Sequence, residues 1–226
     1  MKAKVSAISR LRIGVDGEGV TTLVAFMLCP LACEYCLNPQ TLSVSYSHKE
    51  YSPSELYEEL RKDELYFLAT GGGVTFGGGE PLLNYQFINE FRSVCGDQWK
   101  INLETSLNVP SSFLETVIPV TDEYLIDIKD MNPAIYKSYT GRDNSLVLRN
   151  LRILAERRLT DKCVIRLPLI NGYNTSEDVA RSESEVLALG FDRIDKFQYD
   201  TDYAKRKRNL QNAYGDPSPD RYGERH

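Results

Sequence analysis

The sequence is short of three features that would each assign a protein class. It has no run of 18 or more apolar residues, which predicts that no transmembrane helix is present. The residues after Met1 are polar and lack the apolar core of a signal peptide, so we expect no secretion signal. The net charge is −5, and without an overall basic field nucleic acid is not expected as the main partner.

Cysteine is also sparse, with five in 226 residues, and three of the five are clustered at positions 29, 33 and 36. This clustering argues against a disulfide framework and favours a reducing, cytoplasmic setting. We expect no membrane partner, because a long apolar run is lacking. Hydrophobic residues make up 42% of the chain. That share, in a chain of this length, is enough for a single domain with a sizeable core.

Six apolar or β-branched segments predict strands, and helical patterns lie between them. The predicted strands cover roughly 23–28, 74–76, 101–104, 124–128, 163–167 and 194–199. Strands that alternate with helices predict a parallel sheet built from βα units. The stretch 5–20 is expected to be only a Gly-rich turn before the first strand. The helix that Ser52 caps is expected to bury one face carrying Leu56, Tyr57, Leu60, Leu65 and Leu68.

Chemically distinctive residues follow five of these strands. Because the carboxyl ends of parallel strands meet at one edge of a sheet, we expect these residues to collect along one rim. In chain order they are the three cysteines, Gly77-Gly78-Gly79-Glu80-Pro81, Glu104-Thr105, Asp127-Ile128-Lys129, and Arg166 with Asn171-Gly172.

The cysteine segment reads Cys29-Pro30-Leu31-Ala32-Cys33-Glu34-Tyr35-Cys36, a C-x3-C-x2-C spacing. A structural zinc site closes with four ligands, and a four-iron cluster held by four cysteines is saturated as well. Three cysteines on a [4Fe-4S] cluster leave one iron free for a substrate. A zinc knuckle or a redox pair is the alternative for this loop. Cys95 and Cys163 are expected to be core residues.

The other motifs each have a structural and a functional interpretation. Consecutive glycines at 77–79 form either a flexible turn or a place where the backbone approaches a ligand closely. Asp127 lies within an apolar strand, and a buried charge must be paired or coordinated. An ion pair with Lys129 or Arg166 satisfies that need. Arg166 equally suits bidentate recognition of a ligand carboxylate.

The cysteine loop, with Tyr35 before its last cysteine, resembles the radical S-adenosylmethionine (SAM) signature. The similarity is closer to the glycyl-radical-enzyme activating enzymes, and it covers roughly residues 10 to 200. The opening Val15-Asp16-Gly17-Glu18-Gly19-Val20, the segment Asp127–Asn132 and the stretch from Arg166 to Asn174 carry it. The sequence lacks an eight-cysteine ferredoxin insert. In this it resembles the minimal form of the family, such as the pyruvate formate-lyase activator, which also lacks one. The sequence departs from the family at Leu37, Glu104 and Asp200, where His, Asp and His are usual.

The resemblance implies a partial (β/α)6 TIM-like barrel, which we expect over residues 1–203. The charge run at 205–208 and the Gly, Pro and Ser residues after it predict a polar tail at 204–226, which is either a solvated end or a segment that docks on a partner. The resemblance also implies a [4Fe-4S] cluster held by Cys29, Cys33 and Cys36, with SAM on the open iron. Tyr35 is expected near the adenine of SAM, and Arg166 is expected at its carboxylate. The amino group is expected to meet Gly77, Gly78, Gly79 and Glu80. Asn38 and Lys129 are expected to contact the cofactor as well. Glu104, Thr105 and Asp127 would surround a monovalent cation (Na⁺ or K⁺).

The activity implied by the resemblance is reductive cleavage of SAM to a 5′-deoxyadenosyl radical, which takes a hydrogen atom from a glycine of a partner glycyl radical enzyme. A flavodoxin- or ferredoxin-type donor would supply the electron. No acid–base pair is needed, in keeping with the presence of only two histidines, His48 and His226. The alternatives are radical modification of a peptide or small molecule, and a non-catalytic metal-binding or electron-transfer module.

Overall fold

The computed structural model describes residues 1–43, 45–205 and 209. Eight strands form one sheet in the order β3-β1-β2-β4-β5-β6-β7-β8. The strands are β1 Ala3–Ile13, β2 Val20–Phe26, β3 Lys49–Tyr51, β4 Gly73–Gly78, β5 Lys100–Thr105, β6 Glu123–Asp127, β7 Cys163–Leu169 and β8 Ile194–Gln198. The helices are α1 Pro53–Leu60, α2 Glu64–Thr70, α3 Tyr85–Cys95, α4 Ser111–Val117, α5 Pro133–Thr140, α6 Ser145–Glu156 and α7 Ser176–Ala188.

The six strands expected from the sequence are all present, and each pairs in parallel with the next along the chain, from β2 to β8. This confirms the parallel βα sheet. Two further strands extend it on one side, since β1 is antiparallel to β2 and β3 is antiparallel to β1. In the described part of the chain β3 and β8 are the two edges, so the sheet is open, as a partial barrel requires.

The expectation of a mere turn over residues 5–20 was wrong, because β1 occupies most of that stretch. Its sequence mixes serine, arginine and lysine with apolar residues and therefore gives a weak strand signal. Pairing of Ile8 with Val24 and of Arg12 with Thr21 stabilises the strand in the folded protein. Helix α5 was also not expected, although Asn132 caps it and Pro133 occupies its first position.

The single buried face expected for the helix after Ser52 was wrong in its second half. Helix α1 ends at Leu60, and a 3₁₀ turn over Arg61–Asp63 precedes α2. A 3₁₀ turn has three residues per turn rather than 3.6, so it rotates the following helix relative to the first. As a result Leu65 and Leu68 are 75% and 50% exposed, whereas Phe67 is buried.

The two faces of the sheet differ in composition. The face that packs on the helices carries large apolar side chains, and among them Phe26 and Phe76 stack with ring centroids 5.2 Å apart. Because side chains alternate along a strand, the opposite face carries the intervening residues. On β4 and β5 these include Thr75, Asn102 and Glu104. The inner face is therefore polar and can hold charged ligands.

The loop between β1 and β2 turns into this inner face. The carbonyl oxygen of Asp16 accepts hydrogen bonds from Thr75 Oγ1 (2.5 Å) and Asn102 Nδ2 (3.2 Å). Gly17 has a φ of +125°, and a Cβ there would collide with the Asn102 side chain. The loop thus closes the end of the inner face opposite the carboxyl ends of the strands.

Across the ranges described, no helix combines the length and apolarity needed to cross a membrane. The proposed boundary after residue 203 stays a prediction. The polar tail expected at 204–226 lies outside the described residues except for Ala204, Lys205 and Asn209. Ala204 is buried, and the ammonium of Lys205 lies 5.2 Å from the centroid of the Tyr35 ring.

Candidate active site

A cavity of about 340 Å³ lies at the carboxyl ends of the parallel strands. It collects residues from motifs that are far apart in the sequence, so the expected common rim exists. Of the residues expected to form the site, the lining contains Cys29, Cys33, Cys36, Asn38, Gly78, Gly79, Glu80, Glu104, Thr105, Asp127, Lys129 and Arg166. Gly77 and Tyr35 are not among the lining residues.

The cysteine loop is joined to the glycine loop by backbone hydrogen bonds. The N–H of Gly79 donates to the Phe26 carbonyl (3.0 Å), and the N–H of Glu80 donates to the Leu28 carbonyl (2.8 Å). A Cβ at Gly79 would run into the Leu28 carbonyl. The cysteine loop and the glycine loop can therefore approach this closely only if residue 79 is glycine. The glycine run has a packing role whether or not a ligand is bound.

The far side of the cysteine loop is held by two other elements. The N–H groups of Ala32 and Glu34 donate to the carbonyls of Thr140 (3.0 Å) and Tyr139 (3.1 Å) at the end of α5. The hydroxyl of Tyr199, just after β8, donates to the Tyr35 carbonyl at 2.6 Å. The loop is thus anchored by segments more than 100 residues away in the sequence, which fixes the three cysteines before any ligand arrives.

The three thiols face the same partly buried cavity. Burial raises the pKa of Cys29 to about 12, and the nearby Glu80 carboxylate adds to the rise. Burial also raises the pKa of Cys33 to about 11, against the opposing effect of the Lys129 ammonium. Metal ligation requires thiolates, so iron must displace these protons when it binds.

The donor set fits an iron–sulfur cluster. Cys29, Cys33 and Cys36 are free cysteines that line one cavity, and thiolates are the usual ligands of such clusters. Cys95 and Cys163 are buried on α3 and β7, as expected for core residues. Within residues 1–43 and 45–205 no three His, Cys, Asp or Glu side chains are arranged to hold a single metal ion.

Glu80 is almost completely buried and accepts four hydrogen bonds from its own chain. Its donors are the hydroxyls of Thr105 (2.6 Å) and Ser106 (2.7 Å) and the N–H groups of Ser106 (3.0 Å) and Leu82 (3.2 Å). Burial raises the pKa of Glu80, while the hydroxyl donors oppose the rise. The side chain thus joins the glycine loop to the end of β5. Its availability to the SAM amino group stays a prediction.

Charged side chains from three neighbouring strands form a network on the inner face. Arg166 on β7 donates through Nε to Asp127 Oδ1 on β6 (2.7 Å) and through Nη2 to Glu104 on β5. Lys129 donates to Asp127 Oδ2 at 3.1 Å. Two cations and two carboxylates thus balance one another, so the ion pairs considered for Asp127 and Arg166 are both present.

The pKa values of the two carboxylates in this network are shifted in opposite directions. Burial raises the pKa of Glu104, although Arg166 opposes it. Burial also acts on Asp127, but the Lys129 ammonium and the Arg166 guanidinium outweigh it and hold the pKa of Asp127 below its usual value. The Asp127 carboxylate in turn raises the pKa of Lys129 in spite of burial. Asp127 is therefore the more strongly held anion.

The cavity has a floor that sequence reasoning did not include in the site. Arg12 and Asp16 line it and form an ion pair through both guanidinium Nε and Nη2. Asp16 lies in the Asp-Gly opening already compared with the activating enzymes, so that motif was the available signal. Arg12 gave none, because a lone arginine in an unassigned strand is not distinctive. Ser106, Tyr139 and Tyr199 are further lining residues without a sequence signal.

Of the expected SAM contacts, Asn38 lines the cavity whereas Tyr35 does not. The ring of half-buried Tyr35 packs against Tyr173 (centroids 5.9 Å apart) and Tyr139 (6.4 Å). Asn38 lies in the lining and its side chain donates to the Gly78 carbonyl at 3.3 Å. Asn38 is thus in a position to fix the glycine loop, whereas Tyr35 belongs to an aromatic cluster behind the cysteines.

The radical SAM superfamily matches residues 24–182 of the sequence, which is more than half of the chain. The chain therefore belongs to this superfamily and is an enzyme of its class. The superfamily implies a [4Fe-4S] cluster and SAM as cofactors, and the cavity contains the thiols that the cluster requires.

Similarity to named proteins narrows the group. The chain is 30% identical to the (2S)-3-sulfopropanediol dehydratase activating enzyme of Klebsiella oxytoca, covering 75% of this chain and 71% of that protein. It is 28% identical to the pyruvate formate-lyase 2-activating enzyme of Escherichia coli K12, covering 82% and 73%. With the pyruvate formate-lyase-activating enzyme of Clostridium pasteurianum the identity is 37%, covering 57% and only 53%. The resemblance to the activating enzymes is confirmed.

Solved structures agree on the fold. Streptococcus suis SuiB bound to S-adenosylmethionine superimposes with a TM-score of 0.61 at 16% identity, covering 83% of this chain and 45% of that one. TYW1 with a lysine-pyruvate adduct gives 0.56 at 16% identity, covering 85% and 73%. At such low identity the likeness is to the fold alone, and it confirms the partial barrel.

Proposed function

We propose that this chain is an activating enzyme that uses SAM to generate a radical on a glycine of a partner glycyl radical enzyme. The observation that carries the proposal is the convergence of Cys29, Cys33, Cys36 and Arg166 on one cavity at the rim of a partial barrel. The named relatives support the reaction class, because those cited above are all activating enzymes.

Each part of the cavity has a distinct task in this proposal. The three cysteines would hold the [4Fe-4S] cluster, and the backbone of Gly78 and Gly79 together with Glu80 would border the SAM amino group. Arg166 and Lys129 are the cations available to the SAM carboxylate, and Asn38 fixes the glycine loop. When bound and reduced, the cluster supplies the electron that cleaves SAM to methionine and a 5′-deoxyadenosyl radical. The chain itself positions the ligands and excludes water.

A monovalent cation is a further proposed component. Asp127 is the last residue of β6, and Glu104 and Thr105 are the last two residues of the neighbouring β5. Support for a cation comes from the proximity of two carboxylates in a half-buried place. At present Arg166 and Lys129 neutralise them, and the Thr105 hydroxyl donates to Glu80. A cation would therefore have to replace one of these internal contacts.

The proposed partners are a glycyl radical enzyme and a one-electron donor of the flavodoxin or ferredoxin type. The open edge of the sheet beyond β8 supports entry of a protein loop, because in the described residues no strand pairs with that side of β8. The donor is proposed because the five cysteines of this sequence comprise one three-cysteine motif and two core positions, so the electron for the cluster has to come from outside this sequence.

The test is anaerobic reconstitution with iron and sulfide, followed by a 5′-deoxyadenosine assay with a chemical reductant. A candidate glycyl radical enzyme is then added, and its glycyl radical is sought by electron paramagnetic resonance. Nucleoside formation and a glycyl radical support the proposal. Nucleoside that forms only with a peptide or small molecule supports a modifying enzyme instead. A cluster that leaves SAM intact points to an electron-transfer module.

A further inference from the structure

The contact that points beyond the proposed function is the one between Glu104 and Arg166. The Arg166 side chain is 13% exposed, and its guanidinium already holds two carboxylates, Asp127 and Glu104. A ligand carboxylate that approaches Arg166 thus finds Nε and Nη2 already bound, and Nη1 is the one guanidinium nitrogen to which the described residues give no partner. The other guanidinium of the cavity, Arg12, is committed to Asp16.

We propose that Glu104 is a positioning residue that competes with the carboxylate of SAM for Nη2 of Arg166, so that SAM must displace Glu104 in order to bind both terminal nitrogens of the guanidinium. This inference rests on the proposed function, because it takes SAM as the ligand of Arg166. The inference adds that the contact between Glu104 and Arg166 lowers the affinity for SAM, and that the residue at position 104 determines by how much.

The structure indicates which of the two carboxylates yields. Asp127 pairs directly with Arg166 in the β6–β7 register and is also held by Lys129. Glu104 is one strand farther away, on β5, and Arg166 is the only partner that the described residues give it. Glu104 is therefore the partner that leaves.

Side-chain length explains why this contact exists in this chain. By the resemblance noted in the sequence, the activating enzymes are expected to carry aspartate here, and aspartate is one methylene, about 1.5 Å, shorter. In the variant Glu104→Asp the carboxylate would withdraw from the guanidinium by about that distance, which is enough to break a direct hydrogen bond. The competition is thus a property of glutamate at position 104.

Displacement of Glu104 also changes the local charge. With Nη2 of Arg166 turned to the ligand carboxylate, Asp127 keeps its contacts with Arg166 Nε and Lys129, and Glu104 is left without a cation. A monovalent cation beside Glu104 would restore the balance, so cation and SAM should each strengthen binding of the other. Glutamine at position 104 removes this coupling, because it leaves no excess negative charge.

The experiment measures ligand affinity for the cluster-loaded protein by anaerobic calorimetry. SAM and decarboxylated SAM are titrated into the wild type, Glu104→Gln, Glu104→Asp and Glu115→Gln. Glu115 is the matched control, since it pairs with Arg157 at 2.8 Å on the surface. We expect Glu104→Gln to bind SAM about tenfold more tightly, the scale of one charge-assisted hydrogen bond. Decarboxylated SAM should bind all four proteins alike.

A second series compares K⁺ with tetramethylammonium at constant ionic strength, which holds screening fixed. K⁺ should tighten SAM binding to the wild type several-fold and leave Glu104→Gln unaffected. If Glu104→Gln does not fold, Glu104→Asp carries the test, with the same direction and a smaller change.

Three results overturn the inference: unchanged or weaker SAM binding by Glu104→Gln, equal tightening of both ligands, or a K⁺ effect that survives in the variant. These outcomes are separable from failure of the proposed function. A wild type that cleaves SAM but shows any of them refutes only the competition. A wild type that does not bind SAM refutes the proposed function itself.

Discussion

Replacing Glu80 with glutamine should destabilise the protein before any ligand is bound. One carboxylate oxygen accepts from Thr105 and Leu82, and the other accepts twice from Ser106. Glutamine keeps the volume but puts an NH₂ group in place of one oxygen. The hydroxyls can turn and accept from it, whereas a backbone N–H cannot. One buried N–H therefore loses its acceptor, at a cost of about 1–3 kcal/mol.

The assay is urea unfolding of the cluster-free protein at neutral pH, followed by circular dichroism. The control is Glu58→Gln, because Glu58 pairs with Arg61 and its side chain is 63% exposed. Exposed pairs of this kind contribute less than about 1 kcal/mol. Glu80→Asp should cost more than Glu80→Gln, since the shorter side chain withdraws from all four donors at once.

An unfolding free energy of Glu80→Gln within about 0.5 kcal/mol of the wild type would refute the reasoning. It would mean that the four hydrogen bonds do not stabilise the ligand-free fold, and that Glu80 serves only a bound ligand. The distinction matters because a residue that acts only on SAM would leave the stability of the cluster-free protein unchanged.

Three further predictions concern the glycine loop, the cysteines and the charge network. Gly79→Ala should lower both stability and iron content, because its Cβ meets the Leu28 carbonyl, whereas the Cβ of Gly71→Ala meets open space and should cost only about 1–2 kcal/mol of strain in the left-handed conformation at φ +68°. Cys163→Ala should retain iron after reconstitution, measured per chain by iron and sulfide analysis; equal loss would contradict the assignment. Iron should instead be lost on replacing any one of Cys29, Cys33 and Cys36. The pKa of Asp127 is depressed on folding, so its stabilisation is present above the unfolded pKa of about 3.9 and is lost as pH falls. The stability difference between wild type and Asp127→Asn should therefore shrink below about pH 4 in urea titrations, and a constant difference would exclude this origin.

The sequence alone determined the elements whose signals are local. An apolar run followed directly by three cysteines defines the end of a strand and a ligand-bearing loop within about fifteen residues. Alternation of strands and helices implied a parallel sheet, and parallel strands place their carboxyl ends on one edge. That geometric rule, applied to the order of the motifs along the chain, is enough to bring Cys29, Glu80, Asp127 and Arg166 to a common rim.

Local signals failed where partners elsewhere in the chain decide the conformation. The first strand is polar enough to look like a loop, and it exists because β2 pairs with it. The 3₁₀ turn before α2 changes which residues are buried, and Asp63 in that turn is held by Arg10 and Thr22 from the neighbouring strands. A periodicity argument carried through the turn therefore assigned Leu65 and Leu68 to the wrong side.

Only the tertiary structure decided how the charged residues of the site are used. Sequence could propose that Arg166 binds either a ligand or Asp127, but not that Glu104, 62 residues earlier, also occupies it. It could not show that Glu80 is engaged by Thr105 and Ser106, or that Tyr199 secures the cysteine loop from 164 residues away. The physical reason is that hydrogen bonds and ion pairs depend on distances of about 3 Å between side chains. Residue type and spacing along the chain do not specify such distances until the strands are packed side by side.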